Sequence, residues 1–304
     1  MTVHMATNGP VEIAYEVFGP PEGRPLLLIT GLGGQMLGWP EDFCGLLVDR
    51  GFRVARFDNR DAGLSSRFAA AGRPNRLRML LRPGSAAVYR LEDMATDAVS
   101  VLDALGWAAA DMVGISQGGM IAQTLGVHHP ARVRTLTSMS SAPAPRVGQA
   151  TPLTLLKIIR VADPTRVKTA EDLAQYMVDL QRITGSPAYP ADEETLRELG
   201  RRCHARGGLD AAAVQRQTAA LAATGDRRRE LARIAVPTLV LHGEADRMIR
   251  PVAGAATAAA IPGSRLVTYP GMGHELPREL WTTIADEIAA LTGRDGPVDT
   301  PASS

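Results

Sequence analysis

Six apolar runs recur along the chain: PLLLIT (25–30), RVARFD (53–58), DMVGIS (111–116), RTLTSMS (134–140), PTLVLHG (237–243) and RLVTYPG (265–271). A strand with one wet face alternates apolar and polar residues. Unbroken runs belong instead to a sheet covered on both faces. VEIAYEVFG (11–19) does alternate, and reads as a strand near the N-terminus. Helical stretches fall between the runs, around 40–50, 91–105, 117–128 and 251–260, with a last one near 277–291. Strand–helix–strand repetition of this kind predicts an α/β fold, a mostly parallel central sheet flanked by helices.

From 145 to 230 the rhythm breaks. LTLLKIIR, AEDLAQYMVDLQRI, EETLRELGRRCHARG and DAAAVQRQTAALAA are amphipathic helical patterns separated by Pro or Gly, with no strand among them. The expected organisation is a core in two parts, 1–144 and 231–292, interrupted by a helical cap over 145–230. A cap entering near the sheet's carboxyl edge would roof whatever site lies there. The polar, Pro-containing tail 293–304 is expected to be disordered.

The 304 residues hold 33 Lys and Arg against 32 Asp and Glu, a net charge of +1, which offers no electrostatic case for nucleic acid as a partner. Two cysteines, Cys44 and Cys203, lie far apart without metal-like spacing, so neither a disulfide framework nor a metal is expected. The N-terminal stretch has no basic-then-apolar leader pattern and no run of 18 apolar residues occurs, so a cytoplasmic protein without a membrane span is expected. The early GLGG is not followed by a Lys-Ser/Thr pair and is not read as a phosphate loop. Nothing in the sequence fixes the oligomeric state.

Chemistry concentrates at Gly114-Ile115-Ser116-Gln117-Gly118, a G-x-S-x-G pattern placed after a strand and before a helix. A serine on so tight a turn sits in a strained backbone conformation. The residues two before and two after it must do without a Cβ, which Gly114 and Gly118 provide. A nucleophilic hydroxyl needs a base, and the base needs an orienting carboxylate. Glu244 and Asp246 follow the run PTLVLHG, and His274 follows RLVTYPG. Serine, acid and histidine would thus all stand at strand ends on one edge of the sheet.

The pieces LLLITGLGG, FDNRDAGLSS, VGISQGGM, VLHGEADRMI and YPGMGHELP, in that order, resemble the α/β-hydrolase family. GLGGQMLGW with RFDNRDAGLSS looks most like actinobacterial serine esterases and lipases, and like methyl esterases of aromatic polyketides. The resemblance implies Asp246 as the acid, through the pattern H-G-x-x-D, rather than Glu244. It implies an oxyanion hole made by the backbone N–H groups of Leu32 and Gln117. Where such proteins usually have H-G-x-G, with the His bracing the loop, this chain has Thr30-Gly31-Leu32-Gly33.

Other residues carry weaker signals. Asp58, Arg60 and Asp61 are expected to pin the loop after a strand, with Gly63 allowing its turn. His242 is read as a core histidine, and His128 and His129 as residues at a helix end. Trp39 either lines the substrate pocket or packs at a helix start.

The resemblance implies a serine hydrolase cleaving carboxylic esters of a mainly apolar small molecule through an acyl-enzyme, without a cofactor. Thioester hydrolysis, perhydrolysis, C–C bond cleavage or a biosynthetic cyclisation would use the same three groups. A non-catalytic ligand-binding protein on the same scaffold is the reading from a different class.

Overall fold

The side chains of successive strand residues go alternately to two separate apolar cores, which is why the runs are unbroken. Leu27, Ile29, Ala55, Phe57 and Met112 enter one core, and Leu26, Leu28, Phe52, Val54 and Val113 the other. The computed structural model describes residues 2–161 and 163–293. Its strands are β1 (His4–Asn8), β2 (Val11–Phe18), β3 (Arg24–Ile29), β4 (Phe52–Phe57), β5 (Ala110–Ile115), β6 (Val133–Met139), β7 (Thr238–Gly243) and β8 (Arg265–Tyr269). They form one sheet in the order β1-β2-β4-β3-β5-β6-β7-β8, parallel from β4 to β8 and antiparallel at β1 and β2.

The helices are α1 (Glu41–Val48), α2 (Arg76–Leu81), α3 (Pro83–Ala86), α4 (Leu91–Ala104), α5 (Gln117–His128), α6 (Pro152–Val161), α7 (Ala170–Thr184), α8 (Glu193–Ala205), α9 (Ala211–Ala223), α10 (Arg228–Leu231), α11 (Val252–Ala260) and α12 (Trp281–Thr292). The first core receives α4 and α5, and the second receives α1 and α12. Parallel strands need such crossovers, and alternating them between faces covers both sides. The chain between β6 and β7 forms α6 to α10. Among the described residues, no helix is long and apolar enough to cross a membrane.

Three features depart from the sequence expectations. β1 extends the sheet by a hairpin with β2 whose two-residue loop is Gly9-Pro10, where Gly9 has φ +58°. Gly at the first loop position is a hairpin signal in its own right. α2 and α3 occupy a stretch to which no element is assigned from the sequence; Asn75 starts α2 by accepting the Arg78 N–H. β8 is not buried on both faces. As the sheet's edge it leaves Leu266 and Thr268 exposed while Tyr269 faces the core. The expected tail begins at the last described residue, Gly293, and the remainder, 294–304, lies outside the described residues.

Candidate active site

Ser116 sits between β5 and α5 with φ +57° and ψ −120°, a conformation costly for a residue with a Cβ. The turn is held around it. Ser116 N–H donates to Met139 O at 2.9 Å, extending the ladder onto β6, and Ser141 Oγ–H donates to Ser116 O at 2.8 Å. A Cβ on Gly114 would overlap the Gly118 carbonyl, and one on Gly118 would overlap the Ile29 carbonyl. Both glycines are therefore steric necessities of the turn.

Ser116 Oγ lies 3.0 Å from His274 Nε2, and His274 Nδ1 lies 2.8 Å from Asp246 Oδ2. A carboxylate can only accept, so Nδ1 carries the proton and Nε2 is left to accept the serine hydroxyl. Asp246 Oδ1 accepts the N–H groups of Met248 and Ile249 at 2.8 and 2.9 Å. The acid is thereby fixed by the backbone of its own loop. That loop is in turn tied to the histidine's, Ala245 N–H donating to Met272 O at 2.9 Å. Glu244 takes no part: it is exposed and accepts from Thr268 Oγ.

Burial pulls the His274 pKa down. The charge of Asp246, the hydrogen bond it accepts and the charge of Glu275 outweigh that and raise it above the ordinary 6.5. His242, fully buried, is displaced the other way: burial outweighs its bond to the Ile249 carbonyl at 2.8 Å and the charge of Asp246. It stands 3.5 Å from Asp246 Oδ2, bonded through Nε2 while its buried Nδ1 makes no hydrogen bond among the described residues.

On the other side of the serine runs the turn after β3. A Cβ on Gly31 would stand 3.1 Å from Ser116 Cβ, so this turn lies directly against the nucleophile. Gly31 O accepts the Gly34 N–H at 3.1 Å. In a trans peptide the C=O and N–H point in opposite directions, so that bond aims the Leu32 N–H away from Gly34. Gln117 is the first residue of α5, where N–H groups lack helical acceptors. Gly31, which precedes Leu32, and Gln117 thus flank Ser116 from two different elements.

Trp39 corrects the pocket alternative. It is 1 % exposed, stacks on Phe43 of α1 with ring centroids 5.8 Å apart, and has its carbonyl held by the Arg56 guanidinium. It packs at a helix start and does not line the neighbouring cleft. That cleft, of about 810 Å³, is lined by Leu37, Tyr189, Glu275, Leu276 and Trp281 among others. It borders the histidine loop, but neither Ser116 nor His274 lines it.

The loop 58–66 is pinned as its charges suggested. Asp58 accepts the N–H groups of Met36 and Leu64 and an Arg206 nitrogen, Arg60 pairs with Asp97 at 2.6 Å, and Gly63 turns at φ +51°. Three contributors were not legible beforehand. Thr184 O accepts the His274 N–H at 3.0 Å, Ser186 Oγ accepts the Gly273 N–H at 2.7 Å, and Gln217 accepts the Gly33 N–H at 2.8 Å. All three come from the helical insert, and no local pattern links them to their targets.

Comparison with known proteins agrees with this architecture. A family model described as alpha/beta hydrolase fold matches residues 24–277. The chain is 31% identical to rhodomycin D methylesterase DnrP of Streptomyces peucetius, over 96% of this chain and 98% of that protein. It is 32% identical to rhodomycin D methylesterase DauP of a Streptomyces species, with the same coverage. Among solved structures, an enol-lactonase from Burkholderia xenovorans superimposes with a TM-score of 0.73 at 22% identity, covering 96% of this chain and all of that one. The chain belongs to the α/β-hydrolase fold family.

Proposed function

We propose that this chain is a carboxylic ester hydrolase in which Ser116 is the nucleophile, His274 the general base and acid, and Asp246 the orienting carboxylate. The observation that carries the reading is the 3.0 Å and 2.8 Å relay from Ser116 Oγ through His274 to Asp246. His274 Nε2 takes the hydroxyl proton as Oγ attacks the ester carbonyl, and Asp246 stabilises the imidazolium. The oxyanion sits against the N–H groups of Leu32 and Gln117, each worth about 3–4 kcal/mol in such a site. His274 then protonates the leaving alcohol, and a water activated by the same imidazole releases the acid.

Helices α6 to α9 form the cap of this site in our reading, and the substrate is a mainly apolar small molecule. What supports that choice is the make-up of the insert, whose helices carry Leu, Ile, Met and Val with few aromatics. Two near full-length relatives named as methylesterases favour a methyl ester on a bulky apolar acid over a long acyl chain.

The test is a panel of methyl and p-nitrophenyl esters, run with the wild type and Ser116→Ala in parallel. The expected result is turnover by the wild type, highest on bulky apolar methyl esters. Ser116→Ala should fall in kcat by roughly 10⁶. Near-normal turnover by the variant would remove Ser116 from the chemistry. Activity confined to thioesters or C–C substrates would reassign the reaction while keeping the three groups.

A further inference from the structure

The turn Thr30–Gly34 contains three glycines, and a peptide between glycines flips at little steric cost. For the Leu32 amide to serve an oxyanion at the serine, something must fix its orientation. The usual bracing histidine is Thr30 here, and Thr30 Oγ makes only a long bond of 3.4 Å to Gly34 O and accepts Asn59 Nδ2 at 3.3 Å. Two short bonds reach this turn from outside it: Asn59 Nδ2 of the core loop donates to Thr30 O at 3.0 Å, before Gly31, and helix α9 holds the far side. Gln217 Oε1 accepts the Gly33 N–H at 2.8 Å, fixing the Leu32–Gly33 peptide that adjoins the amide at issue.

Gln217 is itself fully buried and fixed at its other end, where Nε2–H donates to Arg60 O at 2.8 Å. A flipped side-chain amide would face N–H with NH₂ and carbonyl with carbonyl, so only one orientation fits. Its backbone carbonyl also receives Gln117 Nε2 at 3.5 Å. One residue of α9 therefore touches the turn of Leu32 and the residue bearing the second amide. Its neighbour Arg216 anchors that stretch of α9 to Asp61 by two bonds of 2.7 and 2.8 Å.

We propose that Gln217 is a positioning residue that locks the oxyanion turn at Gly33, so that the helical insert shares with the core loop in setting the geometry of the hole. The inference rests on the ester-hydrolase reading above. It predicts a cost in transition-state stabilisation and not in substrate binding, because the buried Gln217 side chain spends its amide on Gly33 and Arg60.

The experiment compares wild type, Gln217→Met, which keeps the volume but offers no oxygen acceptor, and Gln217→Glu, which retains an acceptor oxygen, with Ser116→Ala as the control. Gln217→Met is expected to lower kcat about tenfold, less than deleting a donor outright, with KM within about threefold. Affinity for a trifluoromethyl ketone analogue should fall by the same factor as kcat/KM, and Gln217→Glu should recover part of the loss. Wild-type kcat in Gln217→Met, with Ser116→Ala inactive, would overturn the proposal. So would equal losses in both Gln217 variants. An active Ser116→Ala would instead overturn the functional reading. Hydrogen exchange in the unmodified protein gives a second readout should the variants not fold: the Gly33 amide should be protected, and exchange as fast as at the neighbouring Leu32 amide would overturn the proposal.

Discussion

His274 sets the pH dependence expected of this site. It acts as a base only when neutral, and its pKa is raised above 6.5. Activity should therefore be lost as pH falls through a value above 6.5, giving kcat/KM an acid limb on the alkaline side of a free histidine. Asp246→Asn removes the charge that raises this pKa and the acceptor that fixes the tautomer. It is expected to move the limb toward acid and to lower kcat by about 10⁴. A pH–rate profile of the two proteins checks both. An unmoved limb would mean that the titrating group is not His274.

Among the elements, α9 and the loop after β4 are joined by an ion pair with no solvent access on either side chain. Arg216 and Asp61 make two bonds, and Asp61 also accepts from Tyr89 Oη at 2.7 Å and from the Phe68 N–H at 2.9 Å. Burial pushes the Asp61 pKa up, but Arg216 with the Phe68 N–H and Tyr89 outweigh it and lower the value below 3.8. A depressed carboxylate contributes stability above its unfolded pKa and loses it as pH falls through the folded one, so this contribution should fade below about pH 4. Arg216→Met leaves a buried carboxylate without its cation. It is expected to cost about 3–5 kcal/mol at pH 7, and adding Asp61→Asn should recover part of that. Urea unfolding of the three proteins measures the coupling. Strictly additive losses would show that the two side chains do not act as a pair. The sequence made the loop's charges visible at Asp58, Arg60 and Asp61. It could not show that Arg216, some 150 residues away, closes the pair, because α9 carries no signal for what it packs against.

Across the whole molecule, what was legible follows from short-range rules. Runs such as PLLLIT declare a doubly covered strand, and G-x-S-x-G between strand and helix declares a turn that tolerates no Cβ at Gly114 or Gly118. Glu244, Asp246 and His274 fall together because strand ends in a parallel sheet share one edge, and the family resemblance singles out Asp246 between the two acids. The contacts of Thr184, Ser186 and Gln217 with the site were not legible, since each joins the helical insert to a core loop distant in sequence, with no local pattern to mark the partner. Trp39 was ambiguous for a related reason: a large aromatic after a loop looks the same in sequence whether it meets a ligand or Phe43.

The central claim, that Ser116 is an activated nucleophile served by His274, is tested most directly by mass spectrometry after exposure to a fluorophosphonate. The account predicts one adduct per chain, on Ser116, formed rapidly in the wild type and at least about a thousandfold more slowly in His274→Ala. An unmodified Ser116, or labelling indifferent to His274, would contradict it.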